Sequence, residues 1–127
     1  MSERMNWQQL YRMAAEEVED TLASLPEPLR LKAAALPVTM GASPNSMHLE
    51  DGIDADVLGL FVGPDFASEE STTLPLPPQI ILFLENIWQQ AGEDEELLRE
   101  EVHTTYLHEL GHYLGLDEED LFERGLE

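Results

Sequence analysis

Apolar residues recur at steps of three and four through the first fifth of the chain, at Leu10, Tyr11, Ala14, Val18, Leu22 and Leu25, with Trp7 opening the run. That period marks one face of an α-helix, and it predicts a helix from Trp7 that buries this stripe, Trp7 and Tyr11 included, in the core. Asn6 and Gln9 have the spacing of a capping box, and Pro26 and Pro28 mark the stop. Residues 29–36 predict a short second helix started by Pro28. The pattern then changes to short apolar runs bounded by Gly and Pro: 37–40, 57–62 and 79–83 read as strands. Between the first two, 41–56 is turn-rich and lacks regular periodicity, so His48 reads as a loop histidine. Residues 85–90 predict a short helix ending at Ala91-Gly92. A long helix follows, with Asp94 as N-cap, Glu95 and Glu96 suited to its positive start, and Gly115 suited to its end. At about 100° per residue, Leu98, Val102, Tyr106, Leu110 and Tyr113 gather on one side of it. His103 falls with them and reads as a packed histidine. His108 and His112 point nearly opposite. Strands divided by helices predict an α+β fold, one domain over residues 1–127, with a small mixed sheet packed by helices.

Composition narrows the function classes. The chain has 127 residues, 43% hydrophobic and 26% charged, with a formal net charge of −21 from 27 acidic and six basic side chains. Such a surplus repels nucleic acid and anionic membrane surfaces, keeps a solvated acidic surface soluble, and would favour basic peptides or partners. With no cysteine, disulfides and thiolate metal sites are excluded, and any metal must sit on His and carboxylate ligands. The opening residues lead into an amphipathic pattern rather than an apolar leader, and no run is long enough to span a bilayer, so the expected location is cytoplasmic. Asp51, Asp54 and Asp56 are spaced loosely like calcium ligands, but no bidentate Glu closes a twelve-residue loop, so they read as solvated.

The chemistry concentrates in His108-Glu109-Leu110-Gly111-His112. Residues i and i+4 of a helix lie over one another, so both imidazoles can reach one ion, and Glu109 can lie near the ion's open coordination position. Neutral imidazoles suit zinc, and a carboxylate beside it suits proton removal from water, which together point to Zn2+-assisted hydrolysis with Glu109 as general base. The carboxylates Asp117, Glu118, Glu119 and Asp120 follow within one turn of Gly115, and a third ligand is expected among the few residues after His112. In the spacing H-E-x-x-H-x-x-G-x-x-ligand the last position is Glu118; Asp117, one residue earlier, is the alternative. Glu101, Thr104 and Thr105 neighbour the histidine side. The proline-punctuated stretch with Ser68 to Thr73, Pro75, Pro77 and Pro78 is expected to be a mobile loop that overhangs the site.

The segment from Thr104 to Leu121, TTYLHELGHYLGLDEEDL, resembles the small bacterial zincin-like metallopeptidases, and the order of the first helix, the Leu58-Gly59-Leu60-Phe61 strand, the Ile80-Ile81-Leu82-Phe83 strand and the closing acidic segment extends the likeness. The resemblance implies a minimal zincin core, one zinc held by His108 and His112, and Glu109 as base. The expected function is therefore zinc-dependent hydrolysis of peptide bonds, with an edge strand pairing with extended substrate. Two further readings stand beside it: a catalytically inactive zinc-binding scaffold, and an acidic interaction protein with a basic partner.

Overall fold

A computed structural model describes residues 6–63 and 78–116. The first helix, α1 (Trp7–Ser24), starts where Asn6 accepts the Gln9 amide at 2.9 Å while Gln9 accepts the Asn6 amide at 3.2 Å. This capping box satisfies two donors that the first turn otherwise leaves open, a contribution of about 1 kcal/mol. Pro26 pushes Leu25 into extended backbone (φ −73°, ψ 148°), which ends the helix. The second helix, α2 (Glu27–Ala34), begins two residues earlier than its apolar pattern predicts, because Pro28 lies inside the first turn, and it stops short of Leu36.

Three strands follow in the chain, β1 (Val38–Gly41), β2 (Gly59–Val62) and β3 (Gln79–Phe83), and they lie in the order β1-β3-β2. β3 is central, parallel to β1 through Val38↔Ile80 and antiparallel to β2 through Gly59↔Leu82. The sheet is thus mixed, as expected, and among the described strands β2 is its antiparallel edge. Ile80 and Leu82 point to the helical side and are fully buried, and Gly59 and Phe61, opposite Leu82 and Ile80 in the register, share that face. Between β1 and β2, where irregular chain is expected, one turn of helix forms, α3 (Ser46–Glu50). Asn45 caps it by accepting the His48 amide, and the Asn45 amide donates to His48 Nδ1 at 3.1 Å. His48 is therefore held by its own cap and by an edge contact with the Phe83 ring, 5.6 Å between centroids. A helix this short carries too few positions for a period to show.

β3 passes directly into α4 (Leu84–Gln90), and the last helix, α5 (Glu95–Leu114), follows a tight turn in which Gly92 and Glu93 have φ of 68° and 59°. Asp94 accepts the Leu97 amide at 3.0 Å and caps α5. Gly115, at φ 74°, closes it in the left-handed conformation, and the Leu116 amide reaches back to the Gly111 carbonyl at 2.8 Å. One buried cluster joins α1, α2, β3, α4 and α5, and it includes Leu10, Ala14, Ile80, Leu98, Val102 and Tyr106.

The aromatic pair at the start of α1 differs from its expected burial: Trp7 is 41% exposed and Tyr11 48%. Glu16 meets Arg99 and Thr21 meets His103, so α1 and α5 run side by side with matching polarity. Leu10, in the same turn, is buried, so the core covers one side of this turn and Trp7 and Tyr11 lie at its flank. Met13 and Thr21 are buried in the stripe instead. Among the described residues no helix is long and apolar enough to cross a membrane.

Candidate metal centre

The C-terminal half of α5 is packed on nearly every side. Thr105, Tyr106, Leu107, Glu109, Leu110, Gly111 and Tyr113 are all buried, so between Thr105 and Tyr113 only His108, half-buried, and His112, exposed, reach the surface. A merely solvent-facing stripe would have polar, open flanks. Here Thr105 and Glu109 flank the histidines on one side and Leu107 and Gly111 on the other, all buried. The histidines lie in a narrow gap in the packing that Thr104 and Gly115, both exposed, continue along the helix.

The wall beside Glu109 is β2. Asn86 on α4 donates both hydrogens of its side-chain amide, to the Ala55 carbonyl at 2.9 Å and the Val57 carbonyl at 2.8 Å, which fixes the chain as it enters the strand. The Phe83 amide donates to the Leu58 carbonyl at 2.9 Å, and the Phe61 ring lies 5.7 Å from that of Tyr113. Gly59 then comes directly against the helix: a Cβ built on it would lie 2.6 Å from Thr105 Cγ2 and 3.3 Å from Glu109 Cγ. Gly63, at φ 106°, ends the strand.

Three side chains meet in the gap. The His108 and His112 rings approach edge to face with centroids 4.7 Å apart, and Glu109 Oε1 lies 3.3 Å from His112 Nδ1. One ligand atom from each of His108, Glu109 and His112 falls within 4.8 Å of the others. Nitrogens sharing a tetrahedral zinc at about 2.1 Å sit roughly 3.4 Å apart, a spacing that small rotations about the side-chain bonds reach, above all at His112, whose side chain is 53% exposed. The donor set, two imidazoles and carboxylate oxygen with no sulfur, suits zinc chemically.

A scan against known protein families matches residues 33–126 to the zincin-like metallopeptidases. The chain belongs to the zincin-like metallopeptidase family. The match takes in the three described strands and α3 to α5 and leaves out α1. No curated protein matches the chain. In this family member the expected third ligand, Glu118, and its alternative Asp117 lie outside the described residues, as does most of the proline-rich stretch expected to overhang the site. His103 is placed as expected, in the helix seam, 2.7 Å from Thr21 Oγ1. Asp51, Asp54 and Asp56 are exposed. Of the residues that neighbour the histidines, Thr105 packs against β2, and Thr104 is exposed. The residue that sequence reasoning passes over is Gly59; a glycine inside a strand pattern, which signals close backbone approach, is what would have found it.

Proposed function

We propose that the chain is a zinc-dependent peptidase in which His108 and His112 hold the ion, a carboxylate after Gly115 completes the site, Glu118 first and Asp117 second, and Glu109 is the general base. The observation that carries this reading is the convergence of His108, Glu109 and His112 within 4.8 Å, in the one gap in the packing of this part of α5 and beside an edge strand. When bound, zinc would supply Lewis acidity, polarising a carbonyl and easing the loss of a proton from water. Glu109 takes that proton as water attacks the scissile carbonyl and passes it to the leaving nitrogen. Its stem is packed under β2 and its side chain is only 9% exposed, which supports the role of a held base beside the histidines.

The edge strand supports a peptide substrate. Because Leu58 pairs by hydrogen bond with Phe83, the antiparallel alternation turns the N–H and C=O groups of Gly59 and Phe61 away from β3. Among the described residues no strand lies on that side, and an extended peptide can pair there, its carbonyl carried past Glu109.

Elemental analysis after zinc loading and exhaustive dialysis tests the site: one zinc per native chain is expected, and none in His108→Ala/His112→Ala. A peptide library then tests the reaction. Glu109→Gln is expected to keep its zinc and lose hydrolysis by about 10²- to 10⁴-fold. Wild-type turnover in that variant removes Glu109 as base. Zinc retained with no cleavage of any peptide, and a melting temperature that falls on chelation, would favour the zinc-binding scaffold instead.

A further inference from the structure

Gly59 lies outside the left-handed range of φ, so backbone conformation does not require glycine there. Contact does. The 2.6 Å to Thr105 Cγ2 is roughly an ångström short of the distance carbon atoms prefer, and the 3.3 Å to Glu109 Cγ is also tight. Neither surface can retreat easily. The strand is tied to β3 and, through Asn86, to α4, while α5 is buried at every position from Thr105 to Tyr113 except the two histidines. Thr105 and Glu109 stand one helical turn apart, so a side chain on Gly59 would press on both stems at once.

We infer that Gly59 is a positioning residue: its missing side chain sets the gap between β2 and α5 and thereby aims the Glu109 carboxylate at the histidine pair. The inference rests on the reading of Glu109 as base. A base must be held to within roughly 0.5 Å of its working geometry. Cγ is the carbon from which the Glu109 carboxylate swings, and the carboxylate ends 3.3 Å from His112 Nδ1. Moving Cγ by a few tenths of an ångström carries the oxygens at least as far.

The test separates aim from packing with three variants: Gly59→Ala, Thr105→Ser and the two together. Thr105→Ser removes the methyl group responsible for the worst contact and leaves the Glu109 contact in place. Gly59→Ala alone is expected to melt at a lower temperature, and the double variant to regain most of that loss. Scored against Thr105→Ser, the double variant is expected to bind one zinc per chain, keep KM within about threefold and lose about tenfold or more in kcat. A crystal structure of the metal-free double variant is expected to show the distance from the Glu109 carboxylate to His112 Nδ1 changed by about 0.5 Å or more. Equal kcat, with that distance unchanged, would overturn the inference and leave Gly59 a packing residue. If the zinc-loaded wild type itself cleaves no peptide, the peptidase reading fails, and the metal-free crystal structure still decides the inference by whether the carboxylate has moved.

Discussion

His103 and His108 stand five residues apart on α5 and meet different neighbours. His103 faces α1, where Thr21 Oγ1 takes its Nδ1 at 2.7 Å, and one turn earlier Arg99 reaches Glu16 at 3.3 Å. His108 and His112 face the gap between β2 and the rest of the packing, with Glu109 beside them. The first half of the helix is therefore a seam between two helices and the second a candidate metal centre. Residue type does not separate them; the partner element does. The family match covers β2 and both halves of α5 and omits α1.

If the division is sound, damage to the seam should cost stability without altering the affinity of folded molecules for zinc. The largest effect is expected from Leu98→Ala. Leu98 is fully buried, and the loss of transfer energy plus the cavity left behind should cost about 2–5 kcal/mol in denaturant unfolding. Leu97→Ala, one position along and 47% exposed, should change stability by less than about 0.5 kcal/mol. A reversal of that order would mean that α5 turns a different face to the core.

Tyr106 bridges the two halves, and burial pushes its phenol up to about 12 from the usual 10.0. The folded state holds that proton more tightly than the unfolded chain, so its contribution is complete below pH 10 and is lost as pH rises from 10 towards 12. The loss should approach about 2–3 kcal/mol across that window. Urea unfolding of the native chain and Tyr106→Phe at several alkaline pH values measures it; a native slope no steeper than that of the variant would refute it.

A smaller effect, about 1 kcal/mol, is expected from Thr21→Val, which removes the bond to His103 while keeping the shape of the side chain. Zinc stoichiometry should stay at that of the native chain, and a loss of zinc would show that the two halves are coupled. Asp94→Ala should cost a similar amount, about 0.5–2 kcal/mol, by uncapping the start of α5 far from the histidines.

Much of this architecture was legible from local chemistry. The capping box of Asn6 and Gln9, the Asp94 cap and the left-handed Gly115 are settled by residues within one turn of each other, and all form as expected. The three strands lie close to their apolar runs, although 57–62 shortens to Gly59–Val62 and 37–40 shifts to Val38–Gly41. Trp7 and Tyr11 show the opposite case. Their spacing puts them near a buried stripe, but the core covers only the side of this turn where Leu10 lies and leaves them at its flank.

The same boundary runs through the candidate site. By itself, the sequence determined that His108 and His112 share one side of a helix with Glu109 at their flank, because 3.6 residues per turn leaves no other arrangement. It also determined that any metal would rest on imidazole and carboxylate, because there is no cysteine. Only tertiary structure decided that this side is a gap walled by β2 rather than an open face. The strand that forms the wall is nearly fifty residues away, and it approaches because β3 pairs it, Asn86 fixes its entry and Gly59 offers no side chain to hold it off. A helical period records which residues face one way; it holds no information about which distant backbone will come to meet them.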